Sequence, residues 1–269
     1  MSGFSADWLA LREPADARAR APELTKRLAA FCAGRDRVRI LDLGGGSGSN
    51  LRFLAPRLAL AQSWTLVDND EGLLELAAAA GEALAGVELR CRRLDLAEGL
   101  DDLELSDVDL VTASALMDLV SADWFDRLAA ACRAAGCAVF FVLTYDGVME
   151  WRPSDRLDPL IRELFNRHQG EDKGFGPALG PEAPRLMARA LIAQGFRVET
   201  APSDWLIEAG DRELHLALLE GFLAASEEIG PARAEELRDW AARRRRLVAR
   251  PEARLRVGHE DLFAFPSEA

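Results

Sequence analysis

The sequence predicts an α/β protein built on a doubly wound, mostly parallel sheet, and three observations carry that expectation. Short apolar runs alternate with helical patterns through roughly the first 200 residues. The run "CAVFFVLT" (137–144) is continuously apolar, β-branched and aromatic, as in a strand covered on both faces. A glycine-rich stretch, "RILDLGGGSGSN" from Arg39 to Asn50, directly follows the first apolar run, where a strand would turn into its helix. Alternation at this rhythm requires crossover connections, which are right-handed, with helices on both faces of the sheet.

Each element follows from local chemistry. "VRILDL" (38–43) is the first strand, and "NLRFLAPRLAL" (50–60) has helical spacing that Pro56 bends or shortens. "SWTLVD" (63–68) is a strand before the Ala/Leu-rich helix "EGLLELAAAAGEAL" (71–84). "VELRCRRL" (87–94) alternates as a strand, "VDLVTAS" (108–114) is another, and "DWFDRLAAACRAA" (123–135) is the helix before 137–144. "EAPRLMARALIAQG" (182–195) is a helix stopped by Gly195, and "FRVETAP" (196–202) is the strand after it. Residues 204–249 give no convincing strand; two helical stretches there are separated by Gly230-Pro231. "RLRVGHEDLFAFP" (254–266) alternates and ends in proline, as a last strand would. The expected organisation is one domain over 1–269, with a helical N-terminal segment 1–37, a core 38–203, a helical insertion 204–249 and a closing strand and C-terminus 250–269.

Composition narrows the function classes. The apolar content of 49% supports a full core, and no run approaches the roughly 18 apolar residues of a membrane span. The N-terminus lacks a basic segment followed by an apolar one, so no signal peptide is expected. Cys32, Cys91, Cys132 and Cys137 show no metal-ligand spacing and read as free thiols of a reducing cytoplasm. No acid cluster compels a metal. A formal charge of −12 opposes a nucleic-acid partner. The local exception, Arg243 to Arg246, reads as a solvated helix face partly paired with Glu235, Glu236 and Asp239.

The glycines need a reason, because glycine loses more conformational entropy on folding than any other residue. They let the turn bend tightly and let a ligand approach the main chain. A dinucleotide loop would read GxGxxG, but the third place here is Ser49. The pattern present is Asp42-x-Gly44-x-Gly46-x-Gly48. A carboxylate beside the loop suits a cation better than a pyrophosphate, so the ligand implied carries an ammonium or sulfonium.

This spacing resembles motif I of the class I S-adenosylmethionine (SAM)-dependent methyltransferases. The resemblance extends along the chain: "LVDND" brings Asp68 and Asn69 after the second strand, and "RRLDLA" brings Asp95 and Leu96 after the third. It implies that Asp68 accepts hydrogen bonds from the ribose hydroxyls, that Asp95 contacts the adenine amino group, and that the Leu96 amide lies near the ring. It also implies that "TASALMDLV" (112–120), with Ser114 and Asp118, lines the active site. A Rossmann-like seven-stranded sheet with an antiparallel last strand would follow. Other roles stay open: Asp68 could cap the helix near Glu71, Asp95 could be a turn residue, Asp118 could solvate a turn, and Asn50 could cap the first helix or touch the cofactor.

The acceptor site should come from segments peculiar to this chain: "WLALREPADARARAPE" near the N-terminus, "TYDGVMEW" (144–151), "FNRHQGEDKGFGPALGPEA" (165–183) and the insertion. His168, in the third of these, is the candidate base; Tyr145 could stack on or hydrogen-bond an acceptor; His215 and His259 read as structural. The place after the fourth strand reads "SALMDLV", without the Asn/Asp-Pro-Pro-aromatic motif of the family's nucleic-acid amino-methylating branches, so a small-molecule acceptor is expected. Leu214, Leu218, Leu219 and Phe222 form a helical stripe that roofs the pocket with Trp8 and Leu11, or else only packs on the domain's flank or makes a homodimer contact. The competing functions are a SAM-binding regulatory or assembly protein without turnover, and a nucleotide-dependent oxidoreductase, which Asp42 opposes.

Overall fold

The computed structural model describes residues 4–267; the ends of the expected terminal segments, 1–3 and 268–269, lie outside the described residues. Along the chain, helices α1 (Ala6–Ala19) and α2 (Pro22–Cys32) precede strand β1 (Arg37–Leu43), then α3 (Ser49–Leu54), β2 (Ala61–Asp68), α4 (Glu71–Gly81) and β3 (Val87–Arg93). There follow β4 (Leu110–Ser114), α5 (Ala122–Ala135), β5 (Ala138–Arg152), α6 (Asp158–Gln169), α7 (Ala183–Ala193), β6 (Phe196–Pro202) and β7 (Trp205–Ile207). Helices α8 (Arg212–Ile229) and α9 (Ala234–Val248) lead to β8 (Arg254–Pro266).

Local chemistry sets several of these boundaries. Ser5 caps α1 by accepting from the Trp8 amide at 3.2 Å, and Ser121 caps α5 through the Trp124 amide at 3.3 Å. Pro56 ends α3 early: the chain turns through a 3-10 segment, Ala55–Arg57, instead of continuing to residue 60. Gly136, left-handed at φ +74°, closes α5.

The sheet order is β3-β2-β1-β4-β5-β8-β6. Strands β1 to β5 pair in parallel, and β8 runs antiparallel to both β5 and β6. The strand order reverses between β1 and β4, which opens a crevice at their carboxyl ends. Leu43, Val111 and Phe141 meet Trp124, Phe125 and Leu128 of α5 and Met187 and Leu191 of α7 on one face. Ile40 and Phe140 meet Leu24 and Leu28 of α2 and Leu51 and Leu54 of α3 on the other.

Two features depart from the sequence expectation. Among the described residues the sheet has eight strands, one more than the seven expected, because Trp205–Ile207 inside the expected helical insertion pairs with β8 at residues 255–257. Three residues are too short to display an alternation. Strand β5 also runs on to Arg152, so "TYDGVMEW" is strand, paired antiparallel with β8 through two register shifts. This β5–β8 extension carries Met149, Trp151, Leu255 and Val257 past the sheet into a second core, closed by Leu218, Leu219 and Phe222 of α8 and Leu237 and Trp240 of α9. Trp8 and Leu11 of α1 pack against the same cluster.

One member of the arginine run, Arg244, belongs to this second core, while Arg245 and Arg246 stay exposed. Arg244 is buried against Asp158, which also accepts from the Trp240 indole at 2.9 Å. Arg243 pairs with Asp155 and Arg245 with Glu220, none of them the partners expected from helix spacing. Removing one member of a buried pair leaves an uncompensated charge, so Arg244→Ala should destabilise the protein by about 3–5 kcal/mol. Exposed Arg246→Ala should stay within about 0.5 kcal/mol of wild type. Urea denaturation midpoints of the two variants would check the contrast, and equal midpoints would refute it.

Candidate functional site

The crevice is a cavity of about 250 Å³, lined by the loop after β1, the ends of β2, β3 and β4, and the inner face of α1. Gly44 and Gly46 take φ +60° and +52°, a region that side chains rarely occupy. A Cβ on Gly44 would lie 3.2 Å from Leu116 Cδ2, and one on Gly46 3.2 Å from Leu9 Cδ1, so both glycines keep the cradle open beneath its roof. Gly45, which the motif leaves unspecified, is also fixed: its Cβ would fall 2.3 Å from Leu66 Cγ.

Beneath the loop Asp42 is fully buried. Its Oδ1 accepts from Asn50 Nδ2 at 2.8 Å, while its Oδ2 has no hydrogen-bond partner. Asn50 Nδ2 also donates to Thr112 Oγ1, and its Oδ1 accepts from Arg20 Nη2 at 2.6 Å. Asn50 therefore does not cap α3; it locks Asp42 into a polar chain reaching Ser114, which lies 3.5 Å from Arg20 Nη1. Burial pushes the Asp42 carboxyl up to about 7, against the lowering effects of the Asn50 hydrogen bond and the Arg20 charge, with Asp68 adding to the rise. An orphaned carboxylate oxygen in such a place fits a cationic ligand group.

Asp68 does not cap α4; Asp70 does, accepting from the Leu73 amide at 3.1 Å. Instead Asp68 Oδ2 accepts from the Gly46 amide at 2.8 Å and Oδ1 from the Asp70 amide at 3.0 Å. Each oxygen keeps a lone pair for a ligand, and the carboxylate ties the glycine loop to β2. Asp95 holds a turn by accepting from the Ala97 amide at 2.9 Å, yet it also lines the cavity with Leu96 and exposed Asn69. Turn residue and ligand contact are thus compatible for Asp95.

The roof was less legible. Leu9, Arg12 and Asp16 of α1 all face the cavity, three and four residues apart. Arg12 Nε and Nη2 donate to the two Asp16 oxygens at 2.9 and 3.2 Å, and Asp16 Oδ1 accepts the Trp205 indole N–H at 3.0 Å. Helical spacing shows that these side chains share a face, but not that the face is covered. Phe4, Leu116, Leu119, Gly174 and Phe175 complete the apolar part of the lining. The last two come from the "FNRHQGEDKGFGPALGPEA" segment, which Leu179 and Gly180 fasten to the Val120 and Asp118 carbonyls at 2.8 and 2.9 Å.

Nine of the ten expected cofactor residues line this cavity: Asp42, Gly44, Gly46, Asn50, Asp68, Asn69, Asp95, Leu96 and Ser114. Gly48 does not; at the start of α3, a Cβ there would meet Ala77 of α4 at 3.2 Å, so it serves helix packing. Nor does the structure bring the three expected catalytic side chains to it. His168 faces Glu228 at 3.1 Å and Lys173 at 3.4 Å, at the far end of α6. Tyr145 is buried, its hydroxyl donating to Asn166 at 2.7 Å. Asp118, within the segment after β4, is buried but does not line the cavity, and burial raises its carboxyl to about 6. His215 and His259 are buried, and burial lowers them to about 4 and about 3. Among the described residues, none from 204–249 lines the cavity. The expected stripe packs with Trp8 and Leu11, but as a backing for α1 rather than as the roof itself.

Residues 40–136 match the family described as "Methyltransferase domain". The fold is similar to a SAM-dependent methyltransferase from Geobacter sulfurreducens, solved with S-adenosyl-L-homocysteine, at TM-score 0.50 and 16% identity over 99% of this chain and 100% of that one. It is also similar to a putative methyltransferase from Bacillus halodurans, at TM-score 0.51 and 14% identity over 90% and 99%. The cyclopropane synthase MmaA2 from Mycobacterium tuberculosis gives TM-score 0.53 and 11% identity over 97% and 94%. At these identities the likeness is one of fold. No curated protein sequence matches the chain. Among the described residues, no helix is long and apolar enough to cross a membrane.

The raised Asp42 value has a consequence for stability. Below the unfolded carboxyl value of about 3.9 the group is neutral in both states. As pH rises to about 7, the unfolded chain releases this proton and the folded one retains it, so ionisation of Asp42 erodes stability across that interval. Buried His215 and His259 act oppositely, since the unfolded chain protonates them below about 6.5. The useful quantity is therefore the difference between wild type and Asp42→Asn, both without ligand. The variant should gain stability relative to wild type as pH rises from about 4 to 7, and no further above it. Denaturation at several pH values measures this, and a pH-independent difference would contradict the assignment.

Proposed function

We propose that this class I SAM-dependent methyltransferase transfers the methyl group to a small-molecule acceptor held under α1, by in-line displacement. The observation that supports the reading best is convergence. Asp42, Asp68 and Asp95, each at or just past the end of its own strand, line one cavity with the glycine loop, beneath a roof of apolar and charged side chains. When bound, SAM would supply an activated methyl on a sulfonium, so the protein's work is placement, charge and exclusion of water.

In this reading Asp68 accepts the two ribose hydroxyls with its remaining lone pairs, preset by the Gly46 and Asp70 amides. Asp95, with one oxygen committed to its turn, offers the other to the adenine amino group, and Leu96 and Leu94 flank the ring. The orphaned Asp42 oxygen provides negative charge below the loop for the ligand's cationic groups. Leu9, Leu116, Leu119 and Phe175 exclude water on the acceptor side. Ala115, at φ +52°, is a strained non-glycine residue at the end of β4, where it turns the chain into the cavity wall. A base is not required where the acceptor presents a free lone pair, and none of the titratable groups in the lining is an evident one.

Asp68→Ala should weaken SAM binding tenfold to a hundredfold, the worth of about 1.5–3 kcal/mol for charge-assisted hydrogen bonds. Gly46→Val should abolish binding, since the new side chain would enter the cradle against Leu9 at an unfavourable backbone angle. Calorimetric titration of folded variants decides, and unchanged affinity in either would remove the cofactor assignment for that residue.

A further inference from the structure

Trp124 is buried in the first turn of α5 and does not line the cavity, yet it holds part of the cavity wall from behind. Its indole N–H donates to the Leu96 carbonyl at 2.7 Å. The same peptide unit carries the Ala97 N–H, which donates to Asp95 Oδ1 at 2.9 Å. The peptide between Leu96 and Ala97 is therefore clamped at both of its polar ends, and its planarity fixes the rest of it. The Asp95 carbonyl accepts from the Gly99 amide at 2.8 Å, which holds the preceding peptide as well. None of these contacts uses the second Asp95 oxygen or the Leu96 N–H, an acceptor and a donor on adjacent residues that line the cavity.

The indole is itself a fixed point. The Trp124 amide is capped by Ser121 Oγ at 3.3 Å, and the ring meets Phe175 of the lining edge-on at 5.4 Å. Without the indole N–H, the carbonyl of buried Leu96 would lose its partner, and a buried carbonyl in that state turns towards another donor. Turning that peptide moves the Ala97 N–H, and Asp95 Oδ1 with it. An acceptor beside a donor complements adenine, whose amino group donates and whose neighbouring ring nitrogen accepts. It opposes hypoxanthine, whose oxygen accepts and whose ring N–H donates, and a site built for one pattern rejects the reverse. We infer that Trp124 is a positioning residue for base recognition: through the Leu96 carbonyl it holds Asp95 and Leu96 in the arrangement that selects adenine over hypoxanthine. The inference rests on the SAM-binding reading above and adds a residue outside the cavity that governs selectivity for the cofactor's base.

The test is calorimetric titration of the full chain with S-adenosylhomocysteine and with S-inosylhomocysteine, whose base carries an oxygen in place of the amino group. Wild type should prefer the adenine ligand by about tenfold or more. Trp124→Phe removes the N–H but keeps a ring against Phe175. It should lower S-adenosylhomocysteine affinity about fivefold to tenfold and leave S-inosylhomocysteine within about twofold, so that the preference narrows. Leu128→Ala, a core truncation on the same helix, should lower stability and leave the preference unchanged. An unaltered preference in Trp124→Phe, or equal losses for both ligands, would make Trp124 a core residue only and overturn the inference while SAM binding stands. A wild-type chain without preference overturns it too. Should Trp124→Phe fail to fold, the wild-type indole decides. Its Nε1–H resonance should shift more on binding S-adenosylhomocysteine than on binding S-inosylhomocysteine, and equal shifts count against the inference. Failure of the wild-type chain to bind S-adenosylhomocysteine at all would instead fell the methyltransferase reading, and this inference with it.

Discussion

A carboxylate buried without full hydrogen bonding is expensive, and the arrangement around Asp42 is shaped by that cost. Asn50 and Thr112 supply one side of its environment, and the guanidinium of Arg20 lies a single residue away through Asn50. Those three partners come from α3, β4 and the end of α1, so satisfying one acid fixes the relative placement of three elements at the sheet's carboxyl edge. The glycine loop passes over this group and is held from the other side by Asp68. Left incomplete, the chain of polar contacts leaves one Asp42 oxygen for something the protein itself does not provide.

The same economy governs the roof. Helix α1 alone buries little that is apolar against the sheet, and it is retained largely by polar contacts at intervals along its length. Glu13 pairs with Arg52 on α3, and Arg52 also donates to the Ser47 carbonyl of the loop. Arg12 and Asp16 reach Trp205, and the Ala21 amide following the helix donates to buried Asp261, which also accepts from the Leu143 amide in the β5 bulge. A roof fastened by directed polar bonds keeps its charged side chains in set orientations above the cavity, at the expense of contacts that solvent can compete for at the exposed end near Phe4.

What the sequence disclosed follows a physical division. Residues whose role depends on their own strand end were legible: Asp42, Asp68 and Asp95 sit where a β-strand must hand over to a turn, and that position is encoded locally. The first five strands and the helices between them were equally readable, because each carries its own apolar run, alternation or helical stripe. Roles that depend on what another segment covers were not. Gly48 belongs to the same motif as Gly46 but faces Ala77 of α4, and nothing in the local spacing separates the two. His168 lies in a polar loop-forming segment that does reach the cavity, but the reaching residues are Gly174 and Phe175, beyond the helix that carries the histidine away. Arg244 looked like one of four solvated arginines until Asp158, from a helix far off in sequence, buried it.

The second core explains why the segment 204–249 cannot be regarded as a detachable cover. Strands β5 and β8 are single continuous strands that serve the sheet with one half and the second core with the other. Trp151 meets Phe222 of α8 and Trp240 of α9 edge-on at 5.8 and 5.5 Å, and Phe165 meets Phe222 at 5.0 Å. Without α8 and α9 these rings would face water while still joined by unbroken backbone to the sheet beside Asp261 and Leu143. The loss would propagate to α1 by two routes, through Trp8 and Leu11 in the same cluster and through Trp205, whose indole holds Asp16. Because Asp16 in turn holds Arg12, the helices that never touch the cavity still set the orientation of a charged side chain in its wall.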